Sequence, residues 1–104
     1  MTGTNKPFDE KVWKLLSGIP HGKVTTYKAL AKAAGNADAA RAVGGACNRN
    51  PSPPKVPCHR VVKSDGSIGG YAHDTRKKTR LLLKEGVAIK TGKVQDFNRY
   101  LYKF

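Results

Sequence analysis

Acidic residues are scarce in this 104-residue chain: Asp and Glu total 7 against 20 Lys and Arg, for a formal charge of +13. A compact state so charged repels itself unless a polyanion lies nearby, which makes nucleic acid the default partner. Charge alone leaves a ribosomal-type protein or a merely basic solvated surface open, and it is silent on chemistry. Cysteine is almost absent: Cys47 and Cys58 lack the dense, even spacing of a secreted disulfide scaffold. No apolar run of signal-peptide length opens the chain, so a reduced, intracellular protein is expected, cytoplasmic and nucleoid-associated in a prokaryote or nuclear in a eukaryote. Runs long enough to span a bilayer, repeats and extended low-complexity tracts are also missing, so no membrane association is expected. The length suits one domain over residues 1–104.

What is present reads first as helices. Phe8, Val12, Leu15, Leu16 and Ile19 fall at helical spacing, with Asp9 and Glu10 near the start and Gly18 and Pro20 closing the segment. Thr25 or Thr26 can cap a second, short helix through Tyr27, Leu30 and Ala34, ending at Gly35. Residues 36–38 then open a third helix, from Ala39 to about Cys47, which completes a helix-turn-helix candidate. Ala39, Ala40, Ala42, Gly44, Gly45 and Ala46 leave that helix few side chains to reach base edges in a major groove. Its backbone must approach something closely: a minor groove with Arg41 as a projecting probe, or a neighbouring helix in the core.

Four prolines in the stretch from Asn50 through Pro57 rule out regular helix and central strand, leaving a stiff, extended loop that presents Cys58. Cys58-His59-Arg60-Val61-Val62 begins with the one Cys-His neighbour pair of the chain and continues as a short strand-like run. A free thiol of pKa about 8.5 needs a base or a positive environment to become a nucleophile, and His59 and Arg60 are at hand. Successive residues of an extended segment point to opposite sides, so a water bridge between Cys58 and His59 is expected rather than a direct bond. Glu85 could orient the imidazole as the third member of a relay. The competing readings are a buried inert cysteine, a zinc site from Cys47, Cys58, His59 and His73 that no CxxC spacing supports, and a Cys47 to Cys58 disulfide. Ser64 to Ser67 reads as a turn, and Thr75 can cap a helix holding Leu81, Leu82 and Leu83 that ends at Glu85-Gly86. Val94, Phe97, Tyr100, Leu101 and Phe104 lie at near-helical offsets, so residues 90–104 could dock on a core of about 8–89 or form a flexible basic tail.

Pro57-Cys58-His59-Arg60-Val61 resembles the active-site motif of the O6-alkylguanine-DNA alkyltransferases. Residues 19–27 resemble the IPxGxVxTY stretch of that family, residues 39–44 its AARAVG recognition helix, and residues 82–86 the LLxxEG end of its last helix. Asn50-Pro51 and Gly69-Gly70-Tyr71 fit as well, so the likeness runs in collinear order over about residues 8–89. It implies a mostly α fold, a winged helix-turn-helix-like catalytic domain with a short β-hairpin. It further implies that the partner is double-stranded DNA containing O6-alkylguanine. Arg41 would enter the duplex where the target nucleotide swings out, with Ala40, Ala42, Gly44, Thr26 and Tyr27 against the DNA. Cys58 would take the alkyl group irreversibly, His59 would remove the thiol proton through water, Glu85 would hold His59, Asn50 would brace the loop and Tyr27 would donate to the departing guanine. Pro57, Val61, Tyr71, Ser64 and Ile68 would shape the pocket, and no metal or organic cofactor is implied.

The chain begins a few residues before its first helix, so the N-terminal domain of many family members is not expected here. This shortness, and the aromatic, basic end, resemble the alkyltransferase-like proteins, which bind alkylated DNA without repairing it and carry Trp in place of the acceptor Cys. Position 58 is Cys in this chain, which favours the transferase. A non-catalytic basic helix-turn-helix protein is the third reading. A monomer is expected, with cooperative binding on DNA left open.

Overall fold

The computed structural model describes residues 6–51, 55–69 and 75–104. Helix α1 is Lys6–Ser17. Val12 and Leu16, one turn apart on it, are fully buried, and Ile19 follows them into the core as Gly18 and Ile19 close the helix end by bonding the Leu15 and Leu16 carbonyls. Removing each such side chain from water contributes about 2 kcal/mol. Strand β1, Thr25–Thr26, leads directly into α2, Tyr27–Ala33. The Thr26 hydroxyl accepts the Ala29 N–H at 3.0 Å, the expected cap, worth about 1 kcal/mol. Gly35, at φ +99°, turns the chain out of α2, and the Asn36 side chain accepts the Asp38 N–H at 3.0 Å before α3, Ala40–Asn48. The pair α2 and α3 is the expected helix-turn-helix, resting on α1; the Trp13 indole donates to the Ala46 carbonyl at 2.8 Å and fastens α1 to α3.

After the loop the structure departs from the expected extended run. Cys58–Arg60 is a turn of 3-10 helix, and strand β2 is only Val61–Val62. The Pro57 carbonyl accepts the Arg60 N–H at 2.9 Å, which coils the segment that adjacent-residue alternation would have straightened. β2 pairs in parallel with β1, Thr25 opposite Val61 and Thr26 opposite Val62. The alternation of strand side chains sends Val61 into a cluster with Val12, Leu16, Leu30, Val43 and Cys58, and Val62 into a second with Val24, Ile68, Leu82, Val87 and Val94.

Helix α4 is Thr75–Lys84, with Thr75 inside the helix rather than preceding it as a cap. Gly86, at φ +91°, ends it with the Val87 N–H bonded back to the Leu82 carbonyl, a Schellman-type stop. The C-terminal segment, open between docked and flexible on sequence grounds, is docked. β3 (Ile89–Lys90) and β4 (Lys93–Val94) form an antiparallel hairpin whose two-residue turn has both Thr91 and Gly92 at positive φ, the handedness that suits strand twist. After α5, Phe97–Tyr100, the chain lies beside Val24, which donates to the Tyr100 carbonyl at 2.8 Å and accepts the Tyr102 N–H at 2.7 Å. The architecture is mostly helical with a short β-hairpin. Among the described residues no helix is long and apolar enough to cross a membrane.

Candidate active site

The 3-10 turn sets Cys58 and His59 at the junction of the two cores, with 4% and 1% of their surfaces exposed. Its approach is fixed by Asn50, whose amide donates to the Val56 carbonyl at 2.6 Å, and by the Cys58 N–H, which bonds the same carbonyl at 2.9 Å. Pro57 is buried between them. These two bonds fix the backbone at Val56, two residues before Cys58.

On the other side of the turn lies a charged knot. His59 Nε2 is 2.8 Å from Glu85 Oε2, and Arg60 grips the same carboxylate with Nε at 2.9 Å and Nη2 at 2.7 Å. Arg60 Nη1 donates to the Ile19 carbonyl at 2.6 Å, and the Gly22 N–H donates to Glu85 Oε1 at 3.3 Å. Gly22 has to be glycine here: its φ is +86°, and a Cβ would stand 3.3 Å from the Glu85 carbonyl oxygen. Burial alone would raise the Glu85 pKa, but the hydrogen bonds from Arg60 and His59 overcome it and bring it down to about 2. An ionised carboxylate only accepts, so His59 Nε2 carries the proton. Burial, outweighing the attraction of Glu85, lowers the His59 pKa, so the ring is neutral at pH 7. Its Nδ1 is buried and has no hydrogen-bond partner among the described residues, leaving a free lone pair, as a general base needs.

The pH dependence of stability follows from Glu85. Its folded pKa of about 2 lies below the ordinary 4.5, so the unfolded chain takes up the proton first. The stability this residue contributes is complete above about pH 4.5 and is lost as pH falls toward 2. Urea midpoints measured across that window are expected to fall steeply for the wild type and less steeply for Glu85→Gln; parallel curves would refute the assignment.

A third group was not foreseen from sequence. Lys78, on α4, is fully buried, with Nζ 3.5 Å from the Tyr27 hydroxyl and 5.7 Å from its ring centroid. Burial lowers its pKa to about 8, against the pull of the Cys47 and Cys58 sulfurs, so it is largely cationic at pH 7. Burial likewise raises the Tyr27 phenol and the Cys47 thiol to about 12, keeping both protonated. Gly69 brings its backbone to this cluster: a Cβ there would stand 3.7 Å from the Tyr27 hydroxyl. The one sequence signal for Lys78 was its place one turn before Leu82, on the inward stripe of α4.

The remaining expected site residues divide. Arg41 and Ala42 are exposed on α3, while Ala40 and Gly44 are half-buried beside them. A Cβ on Gly44 would meet nothing within 4 Å, so internal packing does not require that glycine; at Gly45 it would meet the Arg49 guanidinium at 3.1 Å. Arg49 in turn makes a two-bonded ion pair with buried Asp9, at 2.6 and 2.9 Å, holding the end of α3 to α1. Thr26 is buried and its hydroxyl is engaged as the α2 cap. Val61 packs in the cluster that holds Cys58, whereas Ile68 belongs to the second core and Ser64 is exposed, so these two do not gather with Val61 around the thiol. Tyr71, and His73 of the zinc alternative, lie outside the described residues. Among the described residues no three His, Cys, Asp or Glu side chains are placed to hold a metal, and both cysteines are free.

Buried Cys58 and the His59–Glu85 pair lie in one strongly basic domain with a helix-turn-helix, and sequence comparison names its family. The profile of the 6-O-methylguanine DNA methyltransferase DNA-binding domain matches residues 7–87, and the chain belongs to that family. The human methylated-DNA--protein-cysteine methyltransferase is 51% identical over 75 residues, 72% of this chain but 36% of that protein. The chain thus spans about a third of the length of such relatives. The DNA base-flipping protein of Escherichia coli K12 is 39% identical over 97 residues, 93% of this chain and 75% of that protein. Among solved structures, S. pombe Atl1 in complex with damaged DNA containing O6-carboxymethylguanine superposes with a TM-score of 0.84 at 31% identity, covering 97% of this chain and 99% of Atl1.

Proposed function

We propose that this protein repairs DNA directly, flipping an O6-alkylguanine out of the duplex and moving the alkyl group irreversibly onto Cys58. The observation that carries the reading is the Cys58–Arg60 turn, which sets a buried thiol next to a histidine already locked to Glu85. His59 Nδ1 takes the thiol proton through a water; the sulfur forms a bond to the alkyl carbon as the carbon–O6 bond breaks, and the electron pair leaves with the guanine. The Tyr27 hydroxyl, protonated at all ordinary pH values, donates to the departing base. A thioether is not hydrolysed by the protein, so each molecule acts once, without metal or organic cofactor at the reaction centre. The exposed side of α3, where Gly44 has room for a Cβ it does not carry, supports a minor groove lying along Ala40, Ala42 and Gly44 with Arg41 filling the vacated stack. The protein acts as a monomer on double-stranded DNA, in the cytoplasm of a prokaryote or the nucleus of a eukaryote.

The second reading is a lesion-binding protein without transfer, favoured by the match to Atl1 over nearly its whole length. Intact and peptide mass after incubation with a duplex carrying one O6-methylguanine separates the two. One methyl replacing hydrogen on Cys58, saturating at one per molecule, is the expected result; tight lesion-selective binding with no gain would establish the second reading. Arg41→Ala is expected to keep the fold, since the side chain is exposed, and to slow transfer at limiting protein at least about tenfold by removing the group that offsets unstacking. Unchanged single-turnover rates would discard Arg41 as the probe.

A further inference from the structure

The C-terminal strand does more than close the fold. By pairing with Val24 it lays Tyr102, Lys103 and Phe104 alongside α2, and the two enclose a groove of about 390 Å³. Lys32 and Lys103 stand on opposite walls, with Ala29, Ala33 and Leu101 between them and Thr26 at one end. Among the described residues no Asp or Glu side chain lines it. Lys28, exposed one turn before Lys32, extends the positive edge toward the start of α2. Phe104 is half exposed and meets Tyr102 edge to face, with centroids 5.2 Å apart at 89°. Lys23 anchors the approach by donating to the Arg99 carbonyl at 3.1 Å.

Thr26, which lines the groove, directly precedes Tyr27, so the groove runs along the helix that carries a residue of the proposed reaction centre. Its make-up, cations on both walls over a narrow apolar floor, matches a sugar-phosphate backbone rather than a base edge or an acidic protein face with its own hydrogen-bonding needs. The geometry points to a second DNA contact: the groove between α2 and residues 101–104 holds the phosphates flanking the flipped nucleotide, with Lys32 and Lys103 pairing them and Phe104 against the sugar. The inference rests on the DNA-binding half of the proposed function and not on transfer.

The test uses the full chain, a duplex carrying one O6-methylguanine, and the same duplex unmodified. Binding is measured against salt for wild type, Lys103→Gln, the Lys32→Gln/Lys103→Gln pair and Lys90→Gln, the last an exposed hairpin lysine outside the groove. Each lost phosphate contact lowers the slope of log affinity against log salt by about 1, so the single groove variant is expected to lose about 1 and the pair about 2, on both duplexes, with Lys90→Gln unchanged. Lys103 is exposed, so its replacement leaves the fold intact. Slopes equal to that of Lys90→Gln would overturn the contact. So would equal slopes accompanied by loss of wild-type self-association, which would assign the groove to a second copy. Mass analysis of the same wild-type samples keeps the two questions apart: a groove-dependent slope without alkylation of Cys58 retains the contact and discards transfer.

Discussion

Cys58→Ala is expected to abolish methyl transfer entirely while leaving lesion-selective binding within about threefold of wild type. In the proposed reaction the sulfur is the one atom consumed, and Asn50, Arg60 and Glu85 hold the turn through contacts that do not involve it. Removing a small side chain with 4% exposure leaves only a small void, so the fold should lose about 1 kcal/mol. Single-turnover incubation with labelled O6-methylguanine duplex reads the first quantity and equilibrium binding the second. Residual transfer by the variant would place the acceptor elsewhere, with Cys47 the first candidate.

Lys78→Met is expected to move stability and activity in opposite directions. The ammonium is fully buried beside the Tyr27 hydroxyl, and burial lowers its pKa from 10.5 to about 8. Between those values the unfolded chain holds the proton more firmly, so wild-type stability climbs as pH rises from about 8 to about 10.5. Below pH 8 the folded protein carries the whole cost, on the order of 3 kcal/mol. Methionine fills a similar volume without charge, so the variant should be more stable at pH 7 by up to that amount and should lack the alkaline rise. The same ammonium attracts the negative charge that develops on sulfur and orients the Tyr27 hydroxyl, and its loss should slow transfer roughly a hundredfold. Denaturation midpoints from pH 7 to 10.5, with transfer rates on the same samples, check both; a variant of wild-type rate would make Lys78 a purely structural residue.

These two residues also mark the limit of what could be read from sequence. Cys58 was legible because its neighbours form a compact, recognisable string, and the first three helices because apolar spacing, the Thr26 cap and Gly35 all agree. Lys78 was not, because it stands among Arg76, Lys77 and Arg80 in a run whose bulk is solvated, and only packing of α4 against the Cys58–Arg60 turn and Tyr27 decides which cation turns inward. The coil at Cys58–Arg60 was hidden for a related reason: Val61 and Val62 advertise a strand, and the bond from Arg60 to Pro57 that shortens it leaves no compositional trace. In the tail, the apolar offsets left docking against flexibility open; the Thr91-Gly92 reversal makes a hairpin that places Val94 in the second core, and α5 follows over Phe97–Tyr100.

The Arg60 guanidinium joins segments far apart in the chain: it reaches Ile19, 41 residues back, and Glu85, 25 residues ahead, which in turn meets Gly22, 63 positions away. Each such closure costs chain entropy before it returns any contact, so the knot cannot form early or piecemeal. A nascent chain still missing α4 would contain the thiol and the imidazole but nothing to aim one at the other. On the proposed mechanism, reactivity at residue 58 would switch on with the last long-range contacts, and an immature or partly opened molecule would keep its thiol unspent.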